Sequence, residues 1–363
     1  MFISLGYFSK KMLIPLLIPL IYIIRHNILK ELNKGEKISV FTNTFIVSLS
    51  YLFNIILLII ERKRIEKEKT KKKFLFLFLI SFFNFLNFQV YDIVKIFKPD
   101  DYNEHYFYSI SITFFFLSTA LMSYLFLGTN IYKHQKLSMI ISPILSVIMC
   151  CTFIKYYELK LIYLLICLLL RNFRFILMVI GKLFMEKYFI SKVKILSFFG
   201  IIGVLLSIMT NLLSYFLKFD NSEGKKEFDK YRIRTVFDIL GEINKIQFLQ
   251  FLSVIILWFF ENFLIWLCIS ELSPNHYIIY RNISSLFNVF KENIISFIAL
   301  IGILICGLIF NELIIIRICG FDKYTALEVD KRQKEEIENN FKETFDNETG
   351  IVLDNSSENS LTS

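Results

Sequence analysis

Leu161–Gly181 reads LIYLLICLLLRNFRFILMVIG. About 20 apolar residues at 1.5 Å rise cross a hydrocarbon core of roughly 30 Å as a helix, so this stretch is long and apolar enough to span a bilayer. Yet Arg171 and Arg174 sit near its middle. An arginine at the centre of such a helix costs about 2.5–3.5 kcal/mol on insertion scales. The two guanidiniums must therefore face protein, water or an anion rather than lipid. Three residues apart, they share one helix face and can point the same way. Two readings fit: an anion or substrate site inside a helical bundle, or a structural pair neutralised by a carboxylate on a neighbouring helix.

The rest of the 363-residue chain follows the same pattern. Hydrophobic residues make up 55%, and there are 41 Phe against 12 Gly and 5 Pro. Apolar runs separated by short charged loops identify an all-α polytopic membrane protein, for which the bilayer is the first partner. The net charge of +9 is unevenly spread: from Arg317 onward there are 6 basic and 11 acidic residues, which leaves +14 on the remainder. A basic membrane body with an acidic tail suits anionic lipid and a soluble extension, and no soluble basic domain exists to hold nucleic acid. Cys150, Cys151, Cys167, Cys268, Cys306 and Cys319 form no spaced CxxC pair, so neither a disulfide framework nor a zinc site is expected. Lys10 and Lys11 precede an apolar run as in a signal peptide, but no small-residue cleavage site follows, and a retained first helix is expected.

Ten spans are expected. The first, Met12–Ile28, carries Pro15 and Pro19, each of which would kink a helix interior. Val40–Ile60 follows, then Phe74–Val94 with Asn84, Asn87 and Gln89. Tyr108–Gly128 is rich in Ser and Thr, which let helices approach closely or line a polar path. Leu137–Phe153 contains Pro143, and a basic turn, NIYKHQK, leads into it. After Leu161–Gly181 come Ile195–Leu217, then Phe248–Ser270 with Glu261 near its centre. His276–Phe290 holds Arg281, Asn282 and Asn288, acceptable if it lines a cavity; Ile294–Ile316 is the tenth. The division is thus a first membrane half over 1–160, a second over 161–318, and an acidic, partly disordered tail over 319–363.

Ten spans place both ends on one side. The loop after the second carries Arg62, Lys63, Arg64, Lys67, Lys69, Lys71, Lys72 and Lys73; the fourth–fifth and sixth–seventh connections add Lys133, Lys136, Lys182, Lys187, Lys192 and Lys194. All fall on the side of the termini, and the positive-inside rule makes that side cytosolic. The sequons at Asn347 and Asn355 would then escape glycosylation.

The candidate site residues are the intramembrane polar ones. Glu261 lies at a depth similar to that of Arg171, which invites pairing, either permanent or broken in some states to free the arginine or carry a proton. Arg281 either enters the site or snorkels to the interface. Asn84 and Asn87, three apart, either hydrogen-bond a polar substrate or bridge helices. No GxSxG, P-loop, HExxH or paired-His metal spacing occurs, so neither an enzyme nor a nucleotide-driven pump is expected, and no cofactor or metal.

Three stretches resemble the drug/metabolite transporter superfamily, which includes EamA-type exporters and nucleotide-sugar transporters. NIYKHQKLS (Asn130–Ser138) resembles its short basic turn between helices 4 and 5. KLFMEKYFISKVKILSFFG (Lys182–Gly200) resembles its 6–7 junction, and ELSP (Glu271–Pro274) its tight 8–9 turn. The resemblance implies two inverted five-helix repeats, a central cavity and alternating access, with spans 1 and 6, and 3 and 8, as counterparts. The paired arginines and the long connection after the seventh span depart from the family pattern. The function expected is secondary transport of a small polar solute, with an anion as one candidate: Arg171, Arg174 and Arg281 would attract the anion, Asn84 and Asn87 orient it, and Glu261 balance charge or carry a proton. The alternative is a non-transporting scaffold or receptor that recruits a partner through its tail; a homodimer is compatible with either.

Overall fold

A computed structural model describes residues 3–5, 16–32, 40–61, 71–96, 117–157, 161–220, 244–289 and 294–316, with positions 236 and 241 and short pieces between 325 and 338. The helices are α1 (Leu17–Leu32), α2 (Val40–Leu52), α3 (Asn54–Glu61), α4 (Lys71–Ile96), α5 (described over Leu117–Leu127) and α6 (Lys133–Tyr157). They continue with α7 (Leu161–Tyr188), α8 (Lys192–Asp220), α9 (Lys245–Glu271), α10 (Pro274–Val289) and α11 (Ile294–Phe310). Strands β1 (Ile3–Leu5) and β2 (Ile314–Ile316) form an antiparallel ribbon with Ser4 opposite Ile315. Five helical segments among the described residues are long and apolar enough to cross a membrane: Asn43–Glu61, Lys73–Val90, Lys133–Thr152, Lys192–Phe216 and Lys245–Glu271.

The burial pattern is that of a membrane protein. Outward positions such as Ile56, Ile60, Phe74, Leu125, Ile140, Leu169, Leu205 and Leu213 are exposed large hydrophobics, while Arg25, Arg174, Glu261, Asn262, Arg281 and Asn282 are buried. Such an apolar exterior suits hydrocarbon rather than water.

Several boundaries differ from those expected, each for a local reason. Pro19 is the third residue of α1, in the first turn, where its missing N–H is not needed and no kink follows; Pro15 lies outside the described residues. The second span is broken at Phe53 into α2 and α3. Just before the break Ser48 and Ser50 donate back to the carbonyls of Thr44 (2.8 Å) and Val47 (2.6 Å), and Asn54 donates to the Tyr51 carbonyl (3.0 Å). Side chains that take backbone carbonyls compete with the helical ladder and bend it. The basic turn expected before the fifth span is partly helical, since α6 starts at Lys133. The tenth span stops at Phe310: Asn311 donates to the Gly307 carbonyl (2.9 Å), Glu312 takes a left-handed φ of 59°, and the chain turns into β2. The hydroxyl residues Ser109, Ser111 and Thr113 and most of the acidic tail lie outside the described residues.

Caps fix where the site-bearing helices begin. Asn244 and Gln247 form a reciprocal capping box at the start of α9. Ser273 accepts the His276 N–H (3.3 Å) and Pro274 opens α10, so two residues separate α9 from α10. Helix α9 is the most buried of the five spans and touches α1, α2, α7, α8 and α10. The closest helix pair is α2 with α8: a Cβ at Gly200 would meet the Leu52 backbone and one at Gly203 the Ser48 hydroxyl. Small residues at this spacing let two membrane helices meet backbone to backbone. Helices α6 and α11 form a second close pair, and α4 packs on α2, α7 and α8.

Candidate functional site

The site is built around Glu261, midway along α9 and 2% exposed. An ionised carboxylate in such a place needs counter-charges, and two supply them. Arg25 of α1 donates from Nε to Oε2 at 2.7 Å, and Arg281 of α10 donates from Nη1 to Oε1 at 3.3 Å. Aromatic faces complete the group. The Arg25 guanidinium lies 3.6 Å from the Trp258 ring centroid, and that of Arg281 lies 3.7 Å from the Tyr22 centroid. Trp258 and Glu261 are three apart on α9, as Tyr22 and Arg25 are on α1, so each helix presents one ring and one charge on a shared face.

Beside this triad lies a second polar group. Asn262, adjacent to Glu261, accepts from the Tyr51 hydroxyl (3.3 Å) and donates to Ser50 Oγ (3.3 Å), which ties α9 to α2. The charges of both Arg174 and Glu261 act on the Tyr51 hydroxyl. Arg174 is 8% exposed, and its guanidinium stacks over Phe88 of α4 at 4.7 Å. Among the described residues no carboxylate pairs with it, since Glu261 is held by Arg25 and Arg281. The buried Lys182 stands apart, donating to the Ser270 carbonyl (2.7 Å) with Glu186 3.2 Å away. Three guanidiniums against one carboxylate thus leave the described buried centre with an excess of two positive charges.

The sequence-predicted residues divide as follows. Glu261 and Arg281 meet, and Arg281, 3% exposed and ion-paired, is not a snorkelling interface residue. Among the described residues Glu261 takes its counter-charges from Arg25 and Arg281; the side chain of Arg171 lies outside them. Asn87 bridges helices, donating to the Leu170 carbonyl at 2.6 Å. Asn84 is buried one turn before Phe88, on the helix face that meets Arg174. Gln89 is buried with neither end of its amide hydrogen-bonded. Among the described residues no three His, Cys, Asp or Glu side chains are grouped as a metal site would need.

Sequence reasoning missed Arg25, Tyr22, Tyr51 and Asn262. A signal existed for Arg25, which interrupts the apolar run LIPLIYIIRHNIL one turn after Tyr22. For Tyr51 none existed, because 18 tyrosines and 41 phenylalanines hide any single functional ring. Comparison with protein-family models and with curated proteins returns no match.

Proposed function

We propose that the protein is a secondary transporter that moves a small anionic solute by alternating access, with the buried excess of positive charge as its binding centre. The observation that carries the reading is Arg174, a guanidinium nine-tenths buried between membrane helices without a carboxylate partner among the described residues. A static bundle would neutralise such a group or omit it, because uncompensated charge at this depth costs several kcal/mol. An anion that visits and leaves supplies the compensation.

The helix contacts support a two-fold inverted repeat. Exchange each helix of the first half with a counterpart in the second: α1 with α7, α2 with α8, α4 with α9, α5 with α10, α6 with α11. The close pairs α2–α8 and α6–α11 then map onto themselves. The pair α1–α9 maps onto α4–α7, α4–α8 onto α2–α9, and α2–α4 onto α8–α9, and each of these contacts exists. The pair α1–α10 maps onto α5–α7, where Ser118 donates to Asn172 Oδ1 at 2.5 Å. Glu261 and Asn84 lie on counterpart helices α9 and α4 of this exchange, which is where inverted-repeat transporters hold substrate. With the basic connections on the cytosolic side, both termini face the cytosol on this reading, and the drug/metabolite transporter architecture is the nearest precedent.

The test is exchange in proteoliposomes loaded with carboxylates, sugar phosphates, nucleotide sugars, amino acids and organic cations. Exchange confined to anions supports the reading. Exchange of cations only, or of nothing across the panel, contradicts it, and the latter moves the protein to a scaffold acting through its tail.

A further inference from the structure

The four buried charges at the centre are not equivalent. Arg25 meets a carboxylate oxygen at 2.7 Å and the Trp258 and Tyr22 rings at 3.6 and 5.3 Å, and Arg281 meets the other oxygen at 3.3 Å and the Tyr22 ring at 3.7 Å. Glu261 has both oxygens engaged by guanidiniums. Groups held in this way are fixed in position, since charge-assisted pairs are the strongest hydrogen bonds available, and the triad as a whole keeps one net positive charge. Arg174 differs. Phe88 covers one face of its guanidinium at 4.7 Å, and stacking of this kind leaves the in-plane N–H donors free. The Tyr51 hydroxyl lies near enough to feel the charge of Arg174 and donates to Asn262 at 3.3 Å. Among the described residues no carboxylate stands opposite the planar fork of donors on Arg174.

We infer that Arg174, flanked by the Tyr51 hydroxyl and the Phe88 ring, binds a single oxyanion group of the solute, a carboxylate or a phosphate, while Arg25, Glu261 and Arg281 form a permanent structural triad that takes no part in binding. The inference rests on the transport reading for its purpose but not for its test. A planar guanidinium fork matches the two oxygens of a carboxylate or phosphate, whereas a spherical halide uses the fork poorly. The site therefore selects oxyanions over chloride. Both oxygens of the triad's carboxylate are occupied by guanidiniums, which leaves Arg174 as the group that meets the exchanged anion.

Binding is read on the purified full-length protein in detergent, as the rise of its thermal unfolding midpoint with acetate or inorganic phosphate, against chloride at matched ionic strength. The wild type should show a saturable rise with at least one oxyanion and none with chloride; phosphate and acetate run separately decide which group is preferred. Arg174→Gln should weaken half-saturation about tenfold or more, the usual loss for one charge-assisted bond. Should that variant not fold, Arg174→Lys and Tyr51→Phe decide, each with an expected weakening of about threefold or more. No oxyanion effect on the wild type, or unchanged half-saturation in the folded variants, overturns the assignment. Saturable binding lost with Arg174, but without exchange in proteoliposomes, keeps this site and defeats only the transport reading.

Discussion

Replacing Glu261 by Gln removes a charge that holds two guanidiniums in the interior. Arg25 and Arg281 have side chains 6% and 3% exposed, so neither can reach water without opening the bundle. Breaking a buried ion pair costs about 3–5 kcal/mol because the surviving charge is left uncompensated. Here one substitution strands two charges, at 2.7 and 3.3 Å from the lost carboxylate. One effect offsets the loss: the amide oxygen of Gln still accepts one bond, while the Trp258 and Tyr22 rings stack on the guanidiniums before and after the change alike. The net expectation is a destabilisation of about 3–5 kcal/mol, a large part of the roughly 5–15 kcal/mol that holds a domain folded. Titration of the reconstituted protein with SDS, followed by tryptophan fluorescence, reads it directly. The chain has two tryptophans, and Trp258 sits against Arg25 while Trp266 packs edge-on to Phe199. Adding Arg281→Gln to Glu261→Gln should restore part of the loss, since one stranded charge goes with it, and the cycle should give a coupling of about 1–3 kcal/mol. A Glu261→Gln variant within about 0.5 kcal/mol of wild type, the range of an ordinary surface change, would refute the triad as a structural element.

Three further expectations follow from packing and capping. Gly200→Ala places a methyl against the Leu52 backbone, which cannot step aside, and should cost about 1–3 kcal/mol; Gly203→Ala meets only the Ser48 side chain and should cost less, both measured by the same SDS titration. Lys182→Met removes the donor to the Ser270 carbonyl at the end of α9 and should cost about 1–3 kcal/mol, with faster proteolysis at the α9–α10 turn as a local readout. Asn244→Ala loses the capping box of α9 and should cost about 0.5–2 kcal/mol, while Asn244→Ser should recover most of it.

Five of the expected spans match helical segments long and apolar enough to cross a membrane, and they were legible because run length and charge gaps depend on composition alone. Glu261 and Arg281 were legible for the same reason: a charge inside an apolar run must be buried in protein. Their partner was not, because pairing depends on which helices touch, and depth along two runs says nothing of that. Arg171 matched Glu261 in depth, and its side chain lies outside the described residues; the described contacts of α9 with α1 and with α10 bring Arg25 and Arg281 to the carboxylate. The break at Phe53 escaped notice since neither proline nor glycine marks it; it follows from Ser48, Ser50 and Asn54 taking backbone carbonyls, residues that also occur in unbroken helices. The stop at Phe310 was hidden by the apolar residues Leu313–Ile316, which continue the run while the chain leaves the helix for a strand. Hydropathy counts residues and does not see hydrogen bonds.

The central claim is that Arg174 holds the anion that moves. Its most direct test is counter-transport in proteoliposomes of the best oxyanion solute by wild type, Arg174→Lys and Arg174→Gln, with folding of all three checked by chromatography. The account predicts exchange by the wild type, reduced exchange with a raised half-saturation in Arg174→Lys, and none in folded Arg174→Gln. Undiminished exchange by folded Arg174→Gln would contradict it.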